Sequence, residues 1–252
     1  MDGLKKLFRK KKKTPDHALQ DLVRGLQSAW AENLRSVIVF GSFASGDVLE
    51  GTSTMNVLVL AQTLAAEALS QIAAPLQAWL DNGHAVPVFM KPAELRDMAR
   101  VLPIEFLDIV DHHRVVFGES PFTAFTPDTA HLRTQIEHDL TVHLVRLRRA
   151  YPSVSGQEAT ANALLAESLP SVWTLCRALL RLRGLKTPVA KADAARQISI
   201  DAHLDPALID RLEEFRKTRE NPAGESLFPA YLELVEKLLH YAQSGEYIKE
   251  KL

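Results

Sequence analysis

Two patterns of apolar positions divide the chain near Pro127. From Thr14 to about Pro127, short runs rich in β-branched residues alternate with segments of helical spacing, which is typical of a sheet flanked by helices. Beyond Pro127 the residues Leu, Ala, Arg and Glu dominate, and no alternating strand pattern is left. The pattern predicts an α+β fold, with a small mixed sheet and flanking helices at 14–127 and an all-α helical bundle at 128–252.

The first region contains four runs that predict strands, at 36–40, 56–60, 85–90 and 113–117. Pro87 falls inside the third run, and proline cannot donate a ladder hydrogen bond, so this strand is expected at a sheet edge or a bulge. Helices are predicted from Thr14 to Trp30, over 65–80, and after Pro92.

The second region predicts an antiparallel bundle, because short connections join helices with apolar faces. Its helices are expected at 128–150, 158–167, 171–183, 206–216 and 227–243, with breaks at Pro152, Pro170, Gly184, Pro188 and Pro222.

Composition narrows the class of protein. The chain has 252 residues, 46% of them hydrophobic and 24% charged, which excludes a disordered or fibrous protein. No apolar run approaches the roughly 20 residues that cross a bilayer, so a soluble, cytoplasmic protein is expected. The single cysteine, Cys176, cannot form an internal disulfide and is expected to be a small core side chain.

Charge is distributed unevenly along the chain. Residues 1–13 hold seven basic side chains and one acid, whereas the whole chain has a net charge of -1. This basic N-terminal tail predicts contact with an anionic membrane surface or with nucleic acid. Leu4, Leu7 and Phe8 recur at helical spacing among the lysines, which favours lipid at the inner face of the membrane. A solubilising tail is the alternative.

The segment 37–60, VIVFGSFASGDVLEGTSTMNVLVL, carries the most specific signal. A buried strand ends in Gly41 and Ser42, a polar loop containing Gly46 follows, and a second buried strand begins. This arrangement resembles the nucleotidyltransferase superfamily, whose hallmark is a strand, Gly-Ser, a loop, and a strand carrying Asp-x-Asp. The run 103–119, PIEFLDIVDHHRVVFGE, also resembles bacterial members, and the resemblance covers most of 19–242.

The resemblance implies a fold, a ligand and a set of site residues. It implies that Gly41 and Ser42 bind the phosphates of a nucleoside triphosphate, and it places Thr54 and Asn56 at the two aspartate positions. In the family those carboxylates hold magnesium, which activates an acceptor hydroxyl for attack on the α-phosphate. A third carboxylate on a neighbouring strand normally assists.

The sequence departs from the family at these chemical positions. Thr54 and Asn56 are neutral, magnesium prefers carboxylates, and the run 85–90 contains no acid. Asp47 and Glu50 in the loop are the nearby substitutes. We therefore expect a catalytically impaired homologue that retains nucleotide, phosphate or partner binding, with no catalytic or metal-binding residue assigned. The alternatives are an active magnesium-dependent nucleotidyltransferase that modifies a small-molecule or protein hydroxyl, and a non-enzymatic interaction protein localised by its tail.

Weaker patterns lie in the helical region. Arg133 with His138 fits the Arg-x4-His spacing of helical ribonuclease domains of the HEPN type, and Arg196 with His203 fits a looser version of it. Asp139 and His143 are four residues apart, as metal ligands are in some helices, although a surface pair is favoured. Basic residues at Arg146, Arg148, Arg149, Arg177, Arg181, Arg183 and Lys186 form either a phosphate-binding face or a solvated one.

Overall fold

The structure, a computed structural model, describes residues 14–46, 55–122, 128–220 and 227–244. The chain divides into two compact units. The sheet unit comprises Met1–Met98 and Asp108–Thr126, and the helical unit comprises Ala99–Leu107 and Pro127–Leu252. The basic tail at 1–13 lies outside the described residues.

The sheet unit is built on a four-stranded mixed sheet. Its strands are β1 (Leu34–Phe40), β2 (Asn56–Ala61), β3 (Val88–Met90) and β4 (His113–Gly118), in the order β3-β2-β1-β4. β1 runs antiparallel to β2 and β4, and β2 runs parallel to β3. The predicted α+β class, the four strands and the edge position of the strand near Pro87 are confirmed. The predicted strand at 85–90 is too long, because residues 85–87 lie before β3.

Six helices surround the sheet or lead away from it within the described residues. They are α1 (Pro15–Trp30), α2 (Ser42–Ser45), α3 (Ala66–Gln71), α4 (Ala73–Asp81), α5 (Glu94–Val101) and α6 (Pro103–Asp111). The prediction of one helix over 65–80 is wrong: the helix is interrupted at Ile72, whose side chain is buried. The polar loop predicted after Gly41 also begins with the short helix α2.

One core lies on a single face of the sheet. The apolar stripe of α1, including Leu22 and Leu26, packs into the same cluster as Val37 of β1 and Val57 of β2. This stripe follows the spacing that predicted the helix, because positions three and four apart share one helical face. β1 is thereby packed against α1, and Gly41 follows its last residue.

The helical unit contains five long helices within the described residues. They are α7 (Thr129–Val154), α8 (Glu158–Leu182), α9 (Lys191–Asp201), α10 (Pro206–Thr218) and α11 (Leu227–Ser244). Asp128 caps α7 by accepting hydrogen bonds from the amides of Ala130 and His131. The sequence pattern did not predict α9.

The predicted break at Pro170 is wrong. α8 runs continuously from Glu158 to Leu182 with Pro170 inside it, and α7 likewise contains Pro152. Proline removes a backbone hydrogen bond and disfavours a helix interior. Here the adjacent Leu169 and Val172 are completely buried, so packing of the apolar face offsets that loss.

α8 is also long and apolar enough to span a membrane, judged by length and composition alone. Most of its apolar stretch is buried inside the protein. Leu165, Leu169, Trp173 and Cys176 of α8 belong to the core cluster of the helical unit. The apolar character of α8 is therefore that of a core helix.

Candidate phosphate-binding turn and the neighbouring strand ends

The turn that follows β1 depends on a glycine. Gly41 adopts φ 74° and ψ -148°, a backbone conformation that is essentially restricted to glycine. Its amide donates a hydrogen bond to the carbonyl of His112 over 3.1 Å, which ties the turn to the start of β4. Its carbonyl accepts from the amides of Ala44 and Ser45, each at 3.0 Å. The turn is therefore fixed on both sides by backbone hydrogen bonds.

These bonds already use three backbone amides of the turn. The amide of Gly41 is already used by His112, and the amides of Ala44 and Ser45 are used by Gly41. The first amides of a helix have no acceptor within the helix, which in α2 applies to Ser42 and Phe43. These two amides therefore have no acceptor within α2, and Gly41 contributes its backbone conformation to the turn.

Asn56 lies directly beside the turn. In the antiparallel ladder Asn56 is paired with Phe40, the residue before Gly41. A Cβ atom placed on Gly41 would lie 3.3 Å from Nδ2 of Asn56. Fourteen residues lie between Gly41 and Asn56 in the sequence, and the β1–β2 pairing brings the two into contact range.

The sheet pairing shows which residue of β3 shares a face with Asn56. Asn56 and Leu58 lie on the same face of β2, because side chains alternate along a strand. Val88 of β3 pairs with Leu58 and so shares this face, and 44% of Val88 is exposed. The position expected for an acid on this strand is thus occupied by an exposed valine.

The remaining predicted site residues are described in part. Ser42 begins α2 and its backbone is placed, while Thr54 lies outside the described residues together with Asp47 and Glu50. The structure therefore joins Gly41, the Ser42 backbone and Asn56 in one place. It leaves the assignment of Thr54 a prediction.

Among the described residues, none beside this turn offers the carboxylate charge that magnesium prefers. Asn56 offers a neutral amide oxygen, and hard divalent cations require carboxylate charge. Within residues 14–46, 55–122, 128–220 and 227–244, no group of three or more His, Cys, Asp or Glu side chains converges as a metal site.

His113, the first residue of β4, lies at the same strand ends. His113 of β4 is paired with Phe40, so Asn56, Phe40 and His113 form one row across three strands. Nδ1 of His113 lies 2.8 Å from the carbonyl oxygen of Val110, and its ring packs edge-on against Phe122 at 4.8 Å. These contacts agree with a packing role.

One member of each ribonuclease-like pair has a described surface partner. Nδ1 of His138 lies 2.8 Å from Oδ1 of the adjacent Asp139, and both the ring and the carboxylate reach the surface of α7. Arg196 forms ion pairs with Asp193 and Asp210. These contacts use the arginine and histidine in surface pairs of the helical unit.

The basic face expected around Arg177 is partly a buried one. Arg177 is 3% exposed and donates to the carbonyl of Val189, so it is not a solvated side chain. Arg183 pairs with Asp201 over 2.9 Å. By contrast, Arg146 and Arg148 are half exposed and pair with Glu167 and Glu236. Part of the predicted cluster therefore stabilises the helical unit.

The lone thiol and the indole of α8 also belong to the core. Cys176 is buried, and burial raises the pKa of its thiol far above the usual value. Nε1 of Trp173 donates to Oε2 of Glu213 over 3.1 Å in the interior. Neither side chain is placed to contact a ligand.

Comparison with known proteins identifies the fold. No protein-family model matches the chain, and no curated protein matches it. Among solved structures, the chain is similar to a spectinomycin adenyltransferase from Enterococcus faecialis, solved with ATP and spectinomycin. The TM-score is 0.57 at 12% sequence identity, with 90% of this chain and 100% of that chain covered. The chain therefore has a nucleotidyltransferase fold, and this confirms the fold that the Gly41–Ser42 motif indicated.

Proposed function

We propose that this protein is a nucleotidyltransferase homologue that binds a nucleoside triphosphate at the Gly41 turn and is impaired in nucleotidyl transfer. The observation that carries the proposal is the contact range between Gly41 and Asn56 within a nucleotidyltransferase fold. ATP is the first nucleotide to consider, because the similar adenyltransferase was solved with it.

Retained binding is supported by the geometry of the turn. The first two amides of α2 have no acceptor within the helix, and oriented backbone amides attract phosphate oxygens. The hydrogen bonds of Gly41 to His112 and to Ala44 hold these amides before any ligand arrives. A preformed turn binds an anion without an additional ordering cost.

Impaired transfer is supported by the charge of the neighbouring residues. Transfer to a hydroxyl needs a cation that is held beside the triphosphate and a base for the acceptor. Asn56 and Val88 are uncharged at positions where carboxylates are expected, and Thr54 adds no charge. We infer that the nucleotide is bound and turned over slowly or not at all.

The test is calorimetric titration of the full chain with each nucleoside triphosphate, with magnesium and with a chelator. Saturable binding that Ser42→Ala weakens and Ser70→Ala leaves unchanged is the expected result. Ser70 is a matched control because its hydroxyl bonds to Ala66 on α3, and its loss removes a comparable group. Absence of binding in both conditions would overturn the proposal.

Turnover is measured on the same protein preparations. The readout is pyrophosphate release, with small hydroxylated molecules and proteins as acceptors. The expected rate is at background. A magnesium-dependent rate well above background would show that acids such as Asp47 or Glu50 replace the usual carboxylates. That outcome would establish an active enzyme and contradict the impairment.

The basic tail supports a second, separate proposal about location. Residues 1–13 carry seven basic side chains, and Leu4, Leu7 and Phe8 are spaced for one helical face, so we propose that they hold a cytoplasmic protein at an anionic membrane surface. Cosedimentation with vesicles of anionic lipid, but not of zwitterionic lipid, is expected. Replacing Leu7 and Phe8 with serine should weaken this cosedimentation. A gel-shift assay with nucleic acid is expected to show no binding. Binding to nucleic acid alone would contradict the membrane assignment.

A further inference from the structure

A second concave site lies entirely within the helical unit. A cleft of 310 Å³ opens between the start of α6, the middle of α7 and the middle of α8. This volume is at the lower end of the range for small-molecule sites. The cleft is lined by Ile104, Glu105, Asp139, Val142, His143, Ser171, Thr174 and Leu175.

Two carboxylates of this cleft are positioned by neighbours on α7. Nε2 of Gln135 donates to Oε2 of Glu105 over 2.8 Å, while Oε1 of the same Gln135 accepts from the amide of Ile104 over 2.9 Å. Oδ1 of Asp139 lies 2.8 Å from Nδ1 of His138. Gln135 and Asp139 are one helical turn apart on α7, and Glu105 and Asp139 line the same cleft.

Each carboxylate keeps one oxygen available. Across the described parts of the chain, Oε1 of Glu105 and Oδ2 of Asp139 accept no hydrogen bond, and neither residue pairs with a lysine or arginine. Lys191 contributes a positive charge nearby, since its Nζ lies 2.7 Å from Oγ1 of Thr174. That ammonium is bonded to a hydroxyl and does not neutralise either acid.

The set of side chains in the cleft favours an organic cation over a metal ion. In the described ranges Glu105, Asp139 and His143 do not converge as a metal site. Ile104 and Leu175 are buried and form an apolar floor, and Val142 forms an exposed apolar wall. Two carboxylates in one cleft with an apolar floor match a ligand with two positive ends and a methylene chain between them.

We propose that the cleft between α6, α7 and α8 binds a short aliphatic diamine, with one ammonium on Glu105, the other on Asp139, and the methylenes on Ile104 and Leu175. Both amines are protonated at neutral pH, because alkylammonium groups lose their proton near pH ~10. Ammonium–carboxylate hydrogen bonds are charge-assisted and so stronger than neutral ones. This site is independent of the nucleotide site proposed above.

His143 places a titratable group in the same cleft. Its Nε2 lies 3.4 Å from the hydroxyl of Tyr231, which accepts from Ser168 over 2.9 Å. Asp139 is one turn before His143, Arg146 is one turn after it, and Arg146 itself pairs with Glu167. A neutral imidazole leaves the attraction for a dication intact, and a protonated one opposes it.

The first experiment is calorimetric titration of the full chain with putrescine, in the absence of nucleotide and magnesium. One saturable site per chain is expected. Glu105→Gln and Asp139→Asn should each weaken the affinity by about tenfold or more, because each removes one charge-assisted contact and keeps the side-chain shape. Glu214→Gln is the matched control, since Glu214 is exposed on α10 and does not line the cleft.

The ligand chemistry is tested with two analogues. Butylamine, with one ammonium, and butanediol, with none, should bind at least about tenfold more weakly than putrescine if both carboxylates are used. Equal affinity for butylamine and putrescine would contradict two-ended recognition. Absence of saturable putrescine binding, or equal binding by both amide variants and the wild type, would overturn the site.

A second measurement locates the ligand without relying on affinity. Ser171→Cys places an exposed thiol in the cleft, and the native Cys176 is buried, so alkylation reports on position 171. Putrescine should slow this alkylation, and should not slow it when Asp139→Asn is added. An unchanged rate at saturating putrescine would place any binding elsewhere and so contradict the proposal.

Discussion

A methyl group on Gly41 would approach Nδ2 of Asn56 to 3.3 Å, so the turn after β1 and the first residue of β2 form one surface. Gly41 also holds a backbone conformation that other residues rarely adopt. Both constraints come from the same residue, and they suggest that stability and ligand binding are coupled at this turn.

Gly41→Ala is expected to lower the free energy of unfolding of the sheet unit by about 1 to 3 kcal/mol, because alanine is strained at this φ and ψ. Gly46→Ala is the matched control: its φ is 80°, but a Cβ there meets nothing within 4 Å. The Gly46→Ala substitution should lower the free energy of unfolding by about 1 to 2 kcal/mol and leave the nucleotide affinity unchanged. Urea unfolding and nucleotide titration measure the two effects, and equal affinities for both variants would argue against the site.

Restoring carboxylates should restore affinity for magnesium. Thr54→Asp, Asn56→Asp and Val88→Asp together would add three negative charges, two on the face shared by Asn56 and Val88. We expect magnesium-dependent ATP affinity to rise by about tenfold or more, which corresponds to ~1.4 kcal/mol. Val145→Asp on α7 controls for added charge at an exposed valine. If magnesium affected the triple variant no more than this control, the assigned metal positions would be wrong.

A buried ion pair should stabilise the helical unit. Glu213 is 4% exposed at its side chain and accepts from Nε and Nη2 of Arg216, each at 2.8 Å, and from Trp173. Glu213→Ala leaves these donors without their acceptor and should lower the free energy of unfolding by about 3 kcal/mol. Glu214→Ala, one residue along and exposed, should change stability by less than about 0.5 kcal/mol. Chemical denaturation compares the two variants.

The ion pair between Glu213 and Arg216 also predicts that the protein loses stability in acid. Burial alone raises the pKa of Glu213, but hydrogen bonds from Arg216 outweigh it, and the pKa lies below its usual value. As the pH falls, the unfolded chain protonates Glu213 before the folded protein does. The stabilisation by ionised Glu213 is therefore fully present above the unfolded pKa of about 4.5, and it is lost as the pH falls through the folded pKa. Glu213→Gln should reduce this part of the acid dependence of the unfolding free energy. Identical pH profiles for the wild type and this variant would contradict the assignment.

His143 should oppose folding at mildly acidic pH. Burial, assisted by Arg146 and opposed by Asp139, lowers the pKa of His143 below its usual value. The unfolded state therefore takes up the proton first, and stability falls as the pH drops below about 6.5. His143→Gln should show a smaller loss of melting temperature between about pH 7.5 and 5.5, whereas the exposed His240→Gln should behave as the wild type.

Local sequence patterns predicted the strands and helices whose apolar residues recur at regular spacing. β1 and β2 are runs of β-branched and aliphatic residues, and α1 has an apolar stripe, so alternation or helical spacing identified each one. Pro87 indicated an edge strand because its missing donor is a local property. The Gly-Ser motif located the turn for a similar reason, since only glycine adopts its backbone conformation readily.

Other features depended on residues far away in the sequence. A helix through Pro170 is stable because Leu169 and Val172 are buried by other helices. The free energy of this burial depends on tertiary packing, so the local sequence pattern does not predict it. The division of the helix at 65–80 likewise reflects the burial of Ile72. A charged run at Arg177 looked like a surface face, whereas the fold buries this arginine against the carbonyl of Val189.

The amino-acid sequence by itself determined the strands, the glycine turn and the neutral residues at the expected metal positions, because propensity, periodicity and side-chain charge are local quantities. Tertiary structure decided that Gly41 donates its amide to His112, that Asn56 lies within reach of the turn, and that residues 99–107 join the helical unit. It also assembled the cleft of Glu105 and Asp139 from three helices. Each of these outcomes is a pairing between distant segments, and its free energy exists only when the chain is folded.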